Sequence, residues 1–342
     1  MDLLIAGAGP AGLATALHAA RAGLDVAVWE KRAGTVDKAC GEGLMPGAVA
    51  ALATLGVHPP GRDLRGIRYV AGSHRADADF RAGPGLGVRR TALHTALREV
   101  TMAAGVRVEQ RTVRRVEQDD DGVVVDGTRT GHLAAADGLH SPIRRTLGLH
   151  RPQRAHLRHG LRRHYRLAPW SDYVEVHWAR DAEAYVTPVA DDLVSVAVLT
   201  TGRGPYDDHL AAFPELRERL AGVGTAGPVR GAGPLRQAAS ARTAGRVLLV
   251  GDAAGYVDAL TGEGIALALA QASAAVRAVV SGDLTAYERE WRRITRRYRW
   301  LTRALLGATR MPPVRAALVP AAQRMPWLFA ATVDALAHPA GT

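Results

Sequence analysis

The chain has 342 residues, 47% hydrophobic and 23% charged. That balance excludes a disordered chain and allows two substructures around a sizeable core. The net charge is +11 and the pI near 10.5, but nearly all of the excess is arginine, Lys31 and Lys38 being the two lysines. With aromatics at only 5%, the chain lacks the stacking residues of a nucleic-acid binder, and no nucleic-acid partner is expected.

In chain order, Leu3-Leu4-Ile5-Ala6 reads as a buried strand. GAGPAG follows at Gly7 to Gly12. Residues 13–23 are good helix formers with an apolar face, and residues 25–30 form a second strand ending in Glu30. A strand, a glycine turn, a helix and a strand ending in an acid make the setting of a dinucleotide site. Gly7 permits the tight turn, Gly9 leaves the backbone bare before a pyrophosphate, and Gly12 lets the helix pack on the strand. Pro10 and Ala11 lead into the helix, whose free N–H groups and positive dipole end suit phosphate. Glu30 can accept from ribose hydroxyls, and Lys31 and Arg32 beside it are counted with the cofactor-binding residues. Asp2 and the lack of a basic leading segment argue against a signal peptide.

Residues 31–56 form a loop and then a helix over 47–55. In the loop, Cys40-Gly41-Glu42-Gly43 has glycines that allow the backbone close to a bound ring system. Cys40, the single cysteine, is a reactive thiol or, more commonly, a small packing residue. It makes no intramolecular disulfide, which suits a reducing, cytoplasmic location. No metal site is expected. Residues 62–88 read as a hairpin or short strands, and 88–105 as a helix entered at Arg90. An arginine at a helix start opposes the dipole, so its partner is a ligand phosphate or, equally on this residue alone, solvent. Residues 106–125 read as strands, and 133–139 as a buried strand ending in Asp137-Gly138.

Residues 151–235 change character. Alternation over 173–178, 184–189 and 193–200 predicts antiparallel strands. Tyr173, Glu175 and His177 share one face, which is a natural substrate floor or, as any one of these residues suits better, a polar face that is simply wet. His156, His159 and His164 show no ligand spacing. Residues 246–252 form another buried strand, ending in Gly251-Asp252. Thr261-Gly262-Glu263-Gly264-Ile265 leads into a helix reaching about Ser281. Beyond it Trp291, Ile294, Tyr298, Leu301 and Leu305 recur at helical spacing among arginines. This stripe packs on the core or, as a minor alternative, touches an acidic membrane surface. No 18-residue apolar stretch is free of charge, so no spanning helix is expected.

GAGPAG with Glu30, Asp137-Gly138 after a strand and Gly251-Asp252 after a strand together resemble the class A flavoprotein monooxygenases, over about residues 1–285. The resemblance implies an α/β fold: a glutathione-reductase-like FAD-binding domain of Rossmann type, an inserted antiparallel substrate sheet and a helical C-terminal tail. The expected division is 1–61, 87–150 and 236–285 for FAD, 62–86 and 151–235 for substrate, and 286–342 for the tail. It also implies that Asp252 bonds the ribityl chain, that Asp137 and Gly138 lie near the dinucleotide, and that Arg90 contacts FAD. Cys40 to Gly43 and Gly262, Glu263, Gly264 and Ile265 are similar to the geranylgeranyl reductase branch. Flavin halogenases share that branch, but their Trp-x-Trp-x-Ile-Pro signature is absent.

The first expectation is therefore an NAD(P)H-dependent FAD monooxygenase. It would hydroxylate an aromatic or polyketide-like metabolite with oxygen, through a flavin hydroperoxide. The alternatives are a FAD-dependent reductase of isoprenoid double bonds and a flavin-binding protein without turnover. No catalytic base is assigned.

Overall fold

The computed structural model describes residues 1–153 and 157–337; His156 lies outside them. Leu3–Ala6, four apolar residues buried end to end, sits at the centre of a six-stranded sheet. The strand order is Thr243–Ala244, Val247–Leu249, His132–Ala135, Leu3–Ala6, Val26–Glu30 and Arg107–Gln110. Every pair is parallel except the first, and Leu4 stands between Ala27 and Leu133. Strands buried on both faces carry unbroken apolar runs, which explains LLIA and VLL. Their core is shared with the helices Pro10–Arg21, Arg90–Ala103 and Gly264–Ser281. The Gly264–Ser281 helix is long and apolar enough to cross a membrane by composition, yet most of it is buried against its neighbours.

A second, seven-stranded sheet runs Arg230–Ala232, His159–Arg166, Leu193–Thr200, Ala182–Ala190, Tyr173–Trp178, Gly66–Ala71 and His74–Asp79. It is antiparallel apart from the pairing of Tyr173–Trp178 with Gly66–Ala71. Register places Tyr69, Val176, Tyr185, Ala197 and Arg162 in one row across it. That face looks toward the parallel sheet. The opposite face carries Ala184, Val186, Val196 and Val198 and is covered by the helices Tyr206–Leu210 and Pro214–Arg219.

A small sheet of Gly43–Leu44, Gly85–Gly87 and Arg62–Leu64 joins the two larger ones. The expected boundary between 86 and 87 falls inside one of its strands. The helices Leu284–Ala308, Pro312–Arg324 and Pro326–Ala337 complete the described chain. In the first of these, Tyr287, Trp291, Ile294 and Tyr298 face the core while most of the arginines face solvent. The last two pack on strands of the second sheet, so the expected tail is a wall of the structure.

One strand carries no sequence pattern, and one expectation changes. His159–Arg166 is a strand, although HGLRRHYR shows no apolar alternation. Its inward positions are Gly160, Arg162 and His164, which are polar because they serve a buried network described below. The expected floor of Tyr173, Glu175 and His177 is on the wrong face. Glu175 accepts from Trp170 Nε1 at 3.0 Å and pairs with His177, and Tyr173 lies under Arg68. Val174 and Val176, one residue out of phase, face the cavity.

Candidate active site

The carboxyl ends of three parallel strands meet at one cavity of about 690 Å³. Gly9, Pro10 and Ala11 line it at the first turn of the Pro10–Arg21 helix, which has no side-chain cap. A Cβ on Gly9 would meet no protein atom within 4 Å, so this backbone is bare toward the cavity. Gly7 and Gly12 do not line it; they let the turn close. A Cβ on Gly12 would sit 1.8 Å from the Gly7 carbonyl oxygen, and one on Gly7 2.5 Å from the Ala136 oxygen. Gly251, with φ +65, is likewise tight against Ala11.

Glu30 sits outside the lining. Its carboxylate accepts from Ala8 N at 2.9 Å and Arg32 N at 3.1 Å, holding the glycine turn against the second strand. Lys31, Arg32, Asp137, Gly138 and Asp252 line the same half of the cavity. Arg144, fully buried, joins the Asp137 and Asp252 loops, donating to Ala253 O at 2.9 Å and Leu139 O at 2.9 Å. Neither Arg144 nor Lys38 belongs to the glycine motifs, and the sequence reading missed both. Burial pushes Asp252 up from the usual carboxylate range, with Lys38, Arg90 and Arg144 pulling against it, and burial pulls Lys38 down.

Cys40, Gly41, Glu42 and Gly43 bring the loop to the seam between the halves. Thr187 Oγ1 donates to Gly41 O at 2.8 Å, and His164 Nε2 donates to Glu42 Oε2 at 2.6 Å. Arg162 donates to His164 Nδ1 at 3.0 Å and is held in turn by Asp37. A guanidinium only donates, so this contact sets which His164 nitrogen accepts. Glu42 Oε1 accepts from Arg90 N at 2.6 Å. Glu42 has φ +60, a backbone state that these bonds hold in place. Burial works to raise the Glu42 carboxyl, but the hydrogen bond from His164 and the charge of Arg162 hold it below its ordinary value. Burial pushes the Cys40 thiol up, so it keeps its proton at neutral pH. No local signal in HGLRRHYR marks Arg162 and His164, because their partners Asp37 and Glu42 come from a distant loop.

Gly262, Gly264 and Ile265 line the cavity, but Glu263 does not. Glu263 is buried, and that burial pushes its carboxyl up to about 7 against a bond from Thr261 and the charge of Arg297. The far half is apolar. Its floor is Ile67, Tyr69, Val174, Val176, Ala197 and Leu199, and its roof includes Leu318, Ala322, Met325, Leu328, Phe329 and Val333.

The polar half fits a dinucleotide on its own terms. Arg90 NH1 and Asp137 Oδ1 are buried without a partner, Gly9 is open, and an uncapped helix start faces the space. This fold and cavity define a flavoprotein oxidoreductase. The chain belongs to the family described as the FAD binding domain, which matches residues 1–198. It is 33% identical to the menaquinone reductase of Mycobacterium tuberculosis over 83% of this chain and 77% of that one. It is 28% identical to digeranylgeranylglycerophospholipid reductase 1 of Methanothermobacter thermautotrophicus, over 84% and 79%. The solved flavin-dependent brominase Bmp2 superposes with a TM-score of 0.83 at 18% identity, covering 98% of this chain and 93% of its own. The likeness to the brominase is one of fold. The chain is a FAD-dependent oxidoreductase.

Proposed function

We propose that the chain reduces a C=C bond in the isoprenoid chain of a lipid, with FAD as cofactor and NAD(P)H as reductant. The apolar half of the cavity carries this reading. The floor and roof of that half are apolar side chains and Tyr69, while the ionisable groups that line the cavity, among them Glu42, His140 and Arg162, stand at the seam or on the strand-end loops. The phenols nearest to them, Tyr69 and Tyr185, are held protonated. Burial pushes Tyr69 up to about 12 and Tyr185 well above its ordinary value, and the Tyr185 hydroxyl donates to Leu260 O. Neither is suited to take a proton from a phenol, which an aromatic hydroxylase of the expected kind requires. Methyl and methylene groups gain about 0.8 kcal/mol per buried CH₂ in such a space. The two relatives named as reductases act, by their names, on a menaquinone and on a digeranylgeranyl lipid.

When bound, reduced FAD supplies the hydride chemistry. Gly9, Arg90, Asp137, Gly138 and Asp252 would hold the cofactor. The apolar walls orient the alkene and exclude water. The Cys40 thiol holds a proton at Sγ at the seam, and Glu42, His164 and Arg162 fix the loop that carries it.

The test is turnover of FAD-loaded protein with NADPH and a prenylated quinone or lipid, without oxygen. Gain of two hydrogens per double bond is the expected result. Gain of one oxygen atom on an aromatic substrate, only in air, would replace this reading with the hydroxylase.

A further inference from the structure

The surface around the cavity mouth has two features that the reaction does not use. The first is apolar exposure. The large apolar side chains exposed among the described residues are Met102, Val280, Trp300, Met311, Met325, Trp327 and Leu328. Five of these seven lie between residues 300 and 328. Trp327 is 69% exposed, at the corner between Pro312–Arg324 and Pro326–Ala337. Its neighbours Met325 and Leu328 are exposed and also line the cavity. The outer patch therefore continues into the apolar half.

The second is charge. From Trp291 to the C-terminus the sequence has nine arginines and one acid, Asp334; Arg292, Arg293 and Arg315 pair with Glu288, Glu290 and Glu183, which lie before that stretch. Exposed Arg324 directly precedes Met325, and exposed Arg310 directly precedes Met311. Tryptophan, methionine and leucine flanked by arginine suit the headgroup layer of a bilayer rich in anionic lipid. A second copy of this chain would bring the same arginine-rich surface against itself if it paired about a two-fold axis, which disfavours it as the occupant.

We propose that this corner docks on the surface of an anionic bilayer and that the substrate's isoprenoid chain passes from the bilayer past Met325 and Leu328 into the cavity. The docking stands on the exposed patch and the charge. The passage of an isoprenoid chain rests on the reductase reading above.

The experiment is flotation of the FAD-loaded full chain with vesicles of phosphatidylcholine alone or with phosphatidylglycerol added. The expected result is binding to the phosphatidylglycerol vesicles that high salt weakens. Trp327→Ser and Arg324→Glu should each weaken it by roughly tenfold or more while FAD content stays unchanged. Absence of flotation, or equal flotation by the variants, would overturn the proposal. So would a dimer that Trp327→Ser dissociates without any vesicle binding. Reduction of a detergent-dispersed substrate separates the two readings. Turnover in detergent without vesicle binding removes the docking and leaves the reductase. Vesicle binding without turnover in either medium removes the reductase and leaves the docking.

Discussion

The two halves of the cavity differ in how the chain makes them. The polar half comes from strand ends, each a short local signal: Gly7 to Gly12, Asp137-Gly138 and Gly251-Asp252. Its chemistry is bare backbone, helix N–H groups and a few buried charges. The apolar half is assembled from rows that cross strands, with Tyr69, Val176, Tyr185 and Ala197 side by side though far apart in sequence. Helices from the end of the chain roof it. Such a division predicts that changes in one half spare the other.

The largest effect should separate scaffold from ligand contact within the polar half. Gly12→Val puts side-chain atoms where even a Cβ is 1.8 Å from backbone oxygen. It should cost more than about 4 kcal/mol and leave no soluble flavoprotein. Gly9→Ala meets no protein atom and has φ −72, which alanine accepts. It should change stability by less than about 1 kcal/mol, yet lower FAD retention by roughly tenfold or more, read by flavin absorbance after gel filtration. Equal flavin content in Gly9→Ala and the parent would remove Gly9 from the cofactor contact.

Asp252→Ala comes next. Loss of a carboxyl that lines the cavity and is expected to bond the ribityl chain should weaken FAD by roughly 10- to 100-fold with the fold intact by circular dichroism. Its counterpart in the other half is Ala197→Phe, which fills the row between Tyr185 and Arg162. Flavin content should stay at the parent level while kcat/KM for a long prenyl substrate falls by roughly 100-fold and that for a short one falls less. Parallel losses of flavin in both variants would show that the halves are coupled.

The contrast also explains what could be read in advance. Strand, turn and helix are local, so LLIA with GAGPAG, LAAADG and VLLVGD mark three buried strands and their three loops in the sequence itself. Chain reversal and register are not local. Alternation marks 173–178 as a strand, but which face looks inward depends on its partners, and the polar face turns away from the cavity. His159–Arg166 was passed over for the same reason: Arg162 and His164 look solvated until Glu42 and Asp37 are placed beside them. Arg144 carried no motif at all, since its partners are mostly backbone carbonyls from distant loops. The last two helices read as a tail because nothing in their own sequence names the sheet they cover.

Glu263 gives the finest test of where the seam lies. It starts the Gly264–Ser281 helix between residues that line the cavity, but does not line it itself. Burial raises its pKa in the folded chain to about 7, above the ordinary carboxyl value of 4.5. The unfolded chain therefore releases this proton first, and the folded state binds more protons between about pH 4.5 and 7. Stability from this group is full below that window and falls as pH rises through it. At one pKa unit to 1.36 kcal/mol, the loss is at most roughly 3 kcal/mol. Glu263→Gln should leave Tm unchanged near pH 4 and raise it at pH 8, flattening the pH dependence in between. If Glu263 belongs to the scaffold, flavin retention at pH 8 will not change with it. If retention changes while Tm does not, the carboxyl faces the cofactor and the polar half extends one residue further than its lining shows.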